Sequence, residues 1–245
     1  MVKQIENGEI EFNAQVADGI YRCDIKLPQI AAQAMPGNFV NVSVNDNSKL
    51  LKRPFGIHDV NGQFVSILYR TRGAGTGLMS KFSAGDKVDV IGPLGNSFPV
   101  CKDKRVLILG GGMGIAPVFF LEKELSKKND VTTLYAVKSK QELVDLNVSH
   151  LLVHVDEEAG GFVIDKLEKV ISDNKIDIIY TCGPDIMMKS AASIAKSVGV
   201  ETIASLEARM ACGFGACVGC VVETINGLKK VCVDGPVFRA EDVWA

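Results

Sequence analysis

Four of the seven cysteines crowd into one short stretch, as Cys212, Cys217, Cys220 and Cys232. Their spacing, C-x4-C-x2-C-x11-C, is the sharpest chemical signal in the chain. Zinc ribbons and fingers pair two short knuckles of similar size, whereas C-x4-C-x2-C with one distant cysteine is the plant-type [2Fe-2S] pattern. Gly213, Gly215 and Gly219 lie between these cysteines, where backbone wrapping inorganic sulfide needs positive φ and room beside the Cα. A zinc knot is the competing reading of the same four residues. A cluster implies one-electron chemistry. Cys23 and Cys101, isolated from this group, read as ordinary small apolar residues.

Two further segments have the form of nucleotide-binding turns. Gly110-Gly111-Gly112-Met113-Gly114-Ile115-Ala116-Pro117 follows an apolar run and opens a helical pattern, the context in which backbone N–H groups and a helix N-terminus bind pyrophosphate. Thr181-Cys182-Gly183-Pro184-Asp185 repeats that context, with Gly183 allowing close ligand approach and Pro184 suited to a first helical turn. Two such turns on one sheet edge make a crevice for NAD. Cys182 stands where a nicotinamide could stack, or is a buried structural thiol. For the adenosine ribose, Lys138, Ser139 and Lys140 would tolerate a 2′-phosphate and Asp156 would favour the free hydroxyl, so NADH and NADPH both stay open.

Nearer the start, Arg53-Pro54-Phe55-Gly56 and Leu68-Tyr69-Arg70 place arginines beside aromatic residues, and Gly75-Thr76 lies in a glycine-rich turn. Such groups suit phosphate pairing next to ring stacking. Taken singly, Arg53 also reads as a solvated charge, Phe55 as a core residue and His58 as a barrel-surface histidine.

The elements that must hold these residues divide by hydrophobic period. Before Pro99, apolar runs alternate over 8–16, 19–27, 38–44, 63–69 and 87–91, separated by Pro28, Pro36-Gly37, Asn61-Gly62 and Gly85-Asp86. This predicts an antiparallel barrel or sandwich. After it, near-continuous runs at 105–109, 131–137, 151–155, 176–181 and 202–206 alternate with helical patterns at 115–127, 162–172 and 184–197. That order predicts a doubly wound parallel α/β sheet. The expected units are 1–100, an antiparallel β-barrel; 101–206, an α/β nucleotide domain; and 207–245, a small segment too short for its own core and organised by metal.

Composition narrows the function classes. The chain has 245 residues, 47% hydrophobic, with 27 basic against 29 acidic residues and a net charge of -2. No basic block marks it for nucleic acid, and no apolar stretch reaches the ~18 residues that span a bilayer. The first residues carry neither a signal nor a transit pattern, so the cytoplasm is the expected compartment.

Taken in order, R-P-F-G, L-Y-R, G-x-G-T, Gly92-Pro93-Leu94-Gly95, G-G-G-M-G-I-A-P, C-G-P and the four cysteines span most of the chain. This series resembles the ferredoxin reductase-like flavoproteins. Within them, Glu207 to Cys217 and Val231-Cys232-Val233-Asp234-Gly235-Pro236-Val237-Phe238 resemble the electron-transfer subunits of dihydroorotate dehydrogenase B. The resemblance implies FAD held by Arg53, Pro54, Phe55, Gly56, Leu68, Tyr69, Arg70, Gly75 and Thr76, with a [2Fe-2S] cluster on the four cysteines. NAD would be taken at Gly110, Gly111, Gly112, Gly114, Cys182, Gly183 and Pro184. It implies no general acid or base. The implied partner is an FMN-containing dihydroorotate dehydrogenase catalytic subunit, in a heterotetramer with two of each chain, and the implied pathway is pyrimidine biosynthesis. The cluster is then expected at the subunit interface, within an apolar rim around residues 212–220. Gly56 departs from the family, which often has a serine there. Reductase subunits of a hydrogenase, an anaerobic sulfite reductase or a ferredoxin:NADP oxidoreductase share the layout, although relatives of the last often replace the first cluster cysteine, which is present here as Cys212. A non-catalytic redox or zinc sensor is the reading from outside the enzymes.

Overall fold

The computed structural model describes residues 3–46 and 48–244. The alternating runs of the first part close into a six-stranded antiparallel barrel. Its strands are β1 (Gln4–Ala17), β2 (Ile20–Lys26), β3 (Phe39–Val42), β4 (Arg53–Asn61), β5 (Phe64–Arg70) and β6 (Lys87–Leu94), in the order β1-β2-β5-β4-β3-β6. Closure leaves no free edge, and the inward side chains, among them Ile25, Val40, Ile57, Val65, Ile67 and Val90, are fully buried. A short helix α1 (Pro28–Ala31) lies between β2 and β3. It is anchored by the Glu6 carboxylate, which accepts N–H bonds from Gln29 (3.1 Å) and Ile30 (2.8 Å). Helix α2 (Ala74–Met79) follows β5.

Periodicity alone leaves β4 out of the strand list. It begins with Arg53-Pro54 and contains Gly56, residue types that weaken strand signals, yet it pairs with β3 from Arg53↔Val42 to Gly56↔Phe39. The R-P-F-G motif is therefore part of the barrel wall.

The second part forms β7 (Arg105–Gly111), α3 (Ile115–Leu125), β8 (Asp130–Val137), β9 (Leu151–Val155), α4 (Asp156–Ala159), α5 (Leu167–Asp173), β10 (Ile178–Cys182), α6 (Asp185–Ser197) and β11 (Glu201–Ser205). These strands are parallel, in the order β11-β10-β7-β8-β9. The chain winds outward from β7 in one direction and from β10 in the other, so the switch point lies between β7 and β10, where open α/β sheets bind ligands. The near-continuous apolar character of the strands follows from cover on both faces.

The C-terminal stretch divides its loyalty. β12 (Val221–Thr224) and β13 (Gly227–Lys230) make a separate hairpin. β14 (Val237–Arg239) instead adds antiparallel to β11 as the sixth strand of the central sheet, and α7 (Ala240–Val243) follows it. Cys220, Val231 and Cys232 belong to the same buried cluster as Leu107, Leu109 and Met188. The parallel sheet expected from the sequence thus carries one antiparallel edge strand supplied by the cysteine-bearing tail. No helix is long and apolar enough to cross a membrane among the described residues.

The barrel and the sheet are joined along β4 and α3. His58, expected at the barrel surface, is buried in this seam. Its ring stacks on Phe119 at 4.4 Å between centroids, and its Nδ1 lies 3.2 Å from the Ala116 carbonyl. Since a carbonyl only accepts, Nδ1 carries the proton. The sequence around His58 gives no sign of α3, which is why a surface position was expected.

Candidate functional site

Between the barrel wall and the C-terminal edge of the sheet lies a cleft of about 330 Å³, within the size range of small-molecule and cofactor sites. Pro54, Phe55 and Gly56 line it from β4, and Leu68, Tyr69 and Arg70 from β5. Cys182 lines it from the sheet. Six of the nine residues expected to hold a flavin dinucleotide thus face one cavity.

The other three are adjacent. The Arg53 guanidinium lies on Gly75, where a Cβ would come within 2.6 Å of its Nε. The Thr76 hydroxyl accepts N–H bonds from Arg72 (2.9 Å) and Gly73 (3.3 Å), so it holds the start of α2 rather than reaching outward. Arg70 pairs through Nη1 with Glu142 at 2.9 Å, while its Nε is buried with no partner. A buried, unpaired guanidinium donor at a cleft wall fits an anionic ligand. With Phe55 and Pro54 offering flat apolar surface, the donor set fits an aromatic ring system carrying phosphates, as FAD does.

Tyr69 contributes differently from its neighbours. Its ring sits in the barrel core, stacked on Tyr21 at 5.5 Å, and its hydroxyl donates to Asn13 Oδ1 at 2.8 Å. Burial raises its pKa, and it stays protonated.

Gly56 touches the second unit directly. A Cβ there would lie 2.7 Å from Pro117 Cβ. The serine common at this place would collide with the first turn of α3, which gives a steric reason for the departure seen in the sequence.

The two glycine turns meet as their sequence context predicts. Gly110 and Cys182 are paired across β7 and β10, at the switch point. Gly114 packs so closely on the Cys182 carbonyl that no side chain fits, and Gly183 (φ +153°) abuts the Gly111 backbone. Gly112 (φ +53°) is the residue that turns the strand into the helix. Pro184 precedes α6. Cys182 is buried, and burial pushes its thiol pKa well up, so it is a neutral wall residue rather than a nucleophile.

The four cysteines sort into two pairs. Cys212 and Cys217 are half-buried, with sulfurs 3.4 Å apart. Cys220 and Cys232 are buried, and after desolvation it is the neighbouring Cys220 that pushes the Cys232 thiol up to about 12. Among the described residues no three His, Cys, Asp or Glu side chains converge on one ion. Two sulfur pairs facing one loop suit a two-iron cluster better than a single tetrahedral zinc. Burial would raise the Cys212 thiol, but hydrogen bonds to its sulfur from the backbone N–H of Cys217 and Phe214, the Cys217 thiol and the Gly215 N–H outweigh that and bring it down to about 6. N–H groups aimed at a thiolate are what a cluster ligand requires.

Of the three loop glycines, Gly213 (φ +75°) and Gly215 (φ +95°) use the left-handed region. Their Cβ space is filled by Asn41 and Val233 respectively, whereas a Cβ at Gly219 would make only an ordinary contact, with Cys217 Sγ at 3.7 Å. The loop glycines thus answer to protein neighbours as well as to any cluster. The expected apolar rim is present: Phe214, Val218, Val221 and Val233 are exposed, Val218 at 71%.

The cleft also has a wall that motif reading missed. Ser205, Glu207, Met210 and Pro236 line it. Met210 precedes Cys212 by two residues and Pro236 follows Cys232 by four, so both ends of the cysteine segment border the cleft. The available signal was the continuity of Glu207 to Cys212.

Comparison with known proteins gives concordant results. A family model described as the iron–sulfur cluster binding domain of dihydroorotate dehydrogenase B matches residues 207–244. The dihydroorotate dehydrogenase B (NAD(+)) electron transfer subunit of Caldanaerobacter subterraneus subsp. tengcongensis is 35% identical, covering 94% of this chain and 95% of the relative. That of Geobacillus sp. (strain WCH70) is 36% identical over 99% of each chain. Among solved structures, a chain described for NADH-dependent reduced ferredoxin-NADP oxidoreductase and flavin-based electron bifurcation superposes with a TM-score of 0.88 at 31% identity. It covers 98% of this chain and 90% of that one. A ferredoxin NADP+ reductase from Neisseria gonorrhoeae, solved with FAD and NADP, shares the fold, with a TM-score of 0.66 at 15% identity, covering 80% of this chain and 92% of that one.

Proposed function

The chain belongs to the electron transfer subunits of dihydroorotate dehydrogenase B (NAD(+)), and from that premise we propose that it carries electrons from a dihydroorotate-oxidising FMN subunit to NAD+. The observation that carries this reading is the shared border of cleft and cysteine segment through Met210 and Pro236. A ring bound in the cleft lies next to the segment that holds the cluster.

Cys212, Cys217, Cys220 and Cys232 would hold a [2Fe-2S] cluster. Arg53, Pro54, Phe55, Gly56, Leu68, Tyr69, Arg70, Gly75 and Thr76 would hold FAD. The cluster supplies one-electron transfer, and bound FAD links single electrons to hydride exchange with nicotinamide. The chain's own residues position and seclude. Phe55 and Pro54 present apolar surface to the ring, and Arg53 and Arg70 offer guanidinium groups to phosphates. The turns at Gly110 to Gly114 and Cys182 to Pro184 admit the dinucleotide at the switch point of the sheet. Neutral Cys182 closes the cleft wall without offering a proton or a nucleophile. No side chain of the cleft is needed as a general acid or base.

In this reading the functional units are 1–100 for FAD, 101–206 for NAD and 207–245 for the cluster. The exposed apolar rim around Cys212 to Cys220 supports docking of the FMN subunit, as a heterotetramer of two of each chain, in the cytoplasm and in the service of pyrimidine synthesis.

The test is anaerobic co-purification with the partner, with visible spectra recorded after dihydroorotate and, separately, after NADH. Bleaching of flavin and cluster by both reductants is expected. Bleaching by NADH alone would remove dihydroorotate from the assignment and move the chain to a sister reductase.

A further inference from the structure

Three side chains from distant parts of the chain converge on the cluster loop, and each takes a different carbonyl. Asn41 on β3 donates through Nδ2 to the Cys212 carbonyl at 2.8 Å. Lys3, just before β1, donates through Nζ to the Phe214 carbonyl at 2.8 Å. Lys230, at the end of β13, donates through Nζ to the Gly215 carbonyl at 3.0 Å. On the inner side of the same loop, N–H groups of Phe214, Gly215 and Cys217 are directed at the Cys212 sulfur.

A peptide unit points its C=O and N–H in opposite directions. Fixing the Phe214 carbonyl outward through Lys3 therefore fixes the Gly215 N–H inward, toward the sulfur, while the bonds to the Cys212 and Gly215 carbonyls hold the flanking peptide units of the same loop, whose N–H groups are those of Gly213 and Ala216. The Asn41 amide is also packed into the space that a Cβ at Gly213 would occupy, while its Oδ1 is buried with no partner. An unsatisfied buried acceptor disfavours folding. The amide's one bonded half, on the cluster loop, is thus its evident use.

We propose that Asn41, Lys3 and Lys230 form an outer clasp that positions the cluster loop and makes the cluster easier to reduce. The clasp rests on the reading that the four cysteines hold a [2Fe-2S] cluster. Adding one electron adds one negative charge, and the two ammonium groups bonded to the loop favour that more negative state. Hydrogen bonds to sulfur and local net charge are the terms that set such potentials, and outer residues that orient ligands typically change metal retention about 10- to 100-fold. Asn41 has a second consequence by its place. Its neighbour across β3 and β4 is Pro54, a wall of the flavin cleft, so one side chain ties the cluster loop to the barrel strand beside the flavin motif.

The test uses the full-length chain purified anaerobically with its flavin and cluster, as parent, Lys230→Gln, Lys230→Arg, Lys3→Gln and Asn41→Ala. Three quantities are read: the rate of iron release to a chelator, the midpoint potential of the cluster followed by electron paramagnetic resonance, and flavin per chain. We expect about tenfold faster iron release in Asn41→Ala and Lys230→Gln and a more negative cluster potential in both Lys→Gln variants. Lys230→Arg should stay close to the parent, and flavin content should be unchanged throughout. Equal release rates and equal potentials in all five proteins would overturn the clasp and leave the cysteine assignment intact. A parent chain that carries flavin but neither iron nor sulfide would overturn the cysteine assignment and the clasp with it.

Discussion

At the scale of single residues, the glycines carry two kinds of information that look alike in a sequence. Gly213 combines φ +75° with an amide filling its Cβ space. Gly213→Ala should therefore cost about 1–3 kcal/mol of backbone strain, before any displacement of Asn41. The expected outcome is loss of most bound iron with flavin retained, checked by metal analysis beside a thermal melt. Gly56 has no unusual φ but lies against Pro117, 2.7 Å from where a Cβ would sit. Gly56→Ser should destabilise by about 1–3 kcal/mol through overpacking and weaken flavin binding, measured by chemical denaturation and flavin titration. If Gly56→Ser binds flavin as the parent does, Pro117 yields readily and the steric account of this glycine fails.

At the scale of elements, the seam between β4 and α3 aligns the R-P-F-G strand with the helix that starts at the glycine turn. The ion pair of Lys123 with Asp59 at 2.7 Å spans this seam, but its lysine is well exposed and such pairs contribute at most about 1 kcal/mol. His58 matters more. Burial pulls its pKa from 6.5 down to about 4, against the opposing effect of the Ala116 carbonyl. The unfolded chain then binds a proton on this residue at a higher pH than the folded one does. Stability from His58 is complete above pH 6.5 and is lost as pH falls toward 4, by about 3 kcal/mol over that window. His58→Gln should flatten this part of the pH dependence of the melting midpoint. An unchanged slope in that variant would assign the acid sensitivity to other groups.

At the scale of the whole molecule, the cysteine tail is woven into the sheet it follows. β14 covers the outer edge of β11, and Phe238 and Trp244 pack on the core that contains Leu107 and Met188. Removing residues 207–245 should therefore do more than delete a cluster site. It exposes a strand edge and strips one side of the core. We expect the truncated chain to aggregate or to melt far below the parent, followed by light scattering and circular dichroism. A truncated chain that binds flavin and melts as the parent does would show the tail to be an independent appendage.

The sequence by itself determined the chemistry. Cysteine spacing, glycine-rich turns between apolar strand and helix, and the change of hydrophobic period near residue 100 are local properties, and local patterns survive in one dimension. They locate the other barrel strands, the five parallel strands and the helices α3, α5 and α6, but not β4, where Pro54 and Gly56 interrupt the alternation that a strand otherwise shows, nor the short helices and the tail strands β12, β13 and β14. Tertiary structure alone decided which residues meet. His58 became a buried seam residue because α3 returns over β4, and Met210 and Pro236 became cleft walls because the tail folds back past β11. Asn41, Lys3 and Lys230 came to one loop from positions 171, 211 and 15 residues away from their acceptors. No spacing rule encodes such meetings, because contacts between residues far apart in sequence depend on how whole elements pack, and packing is settled by the shape of the entire core.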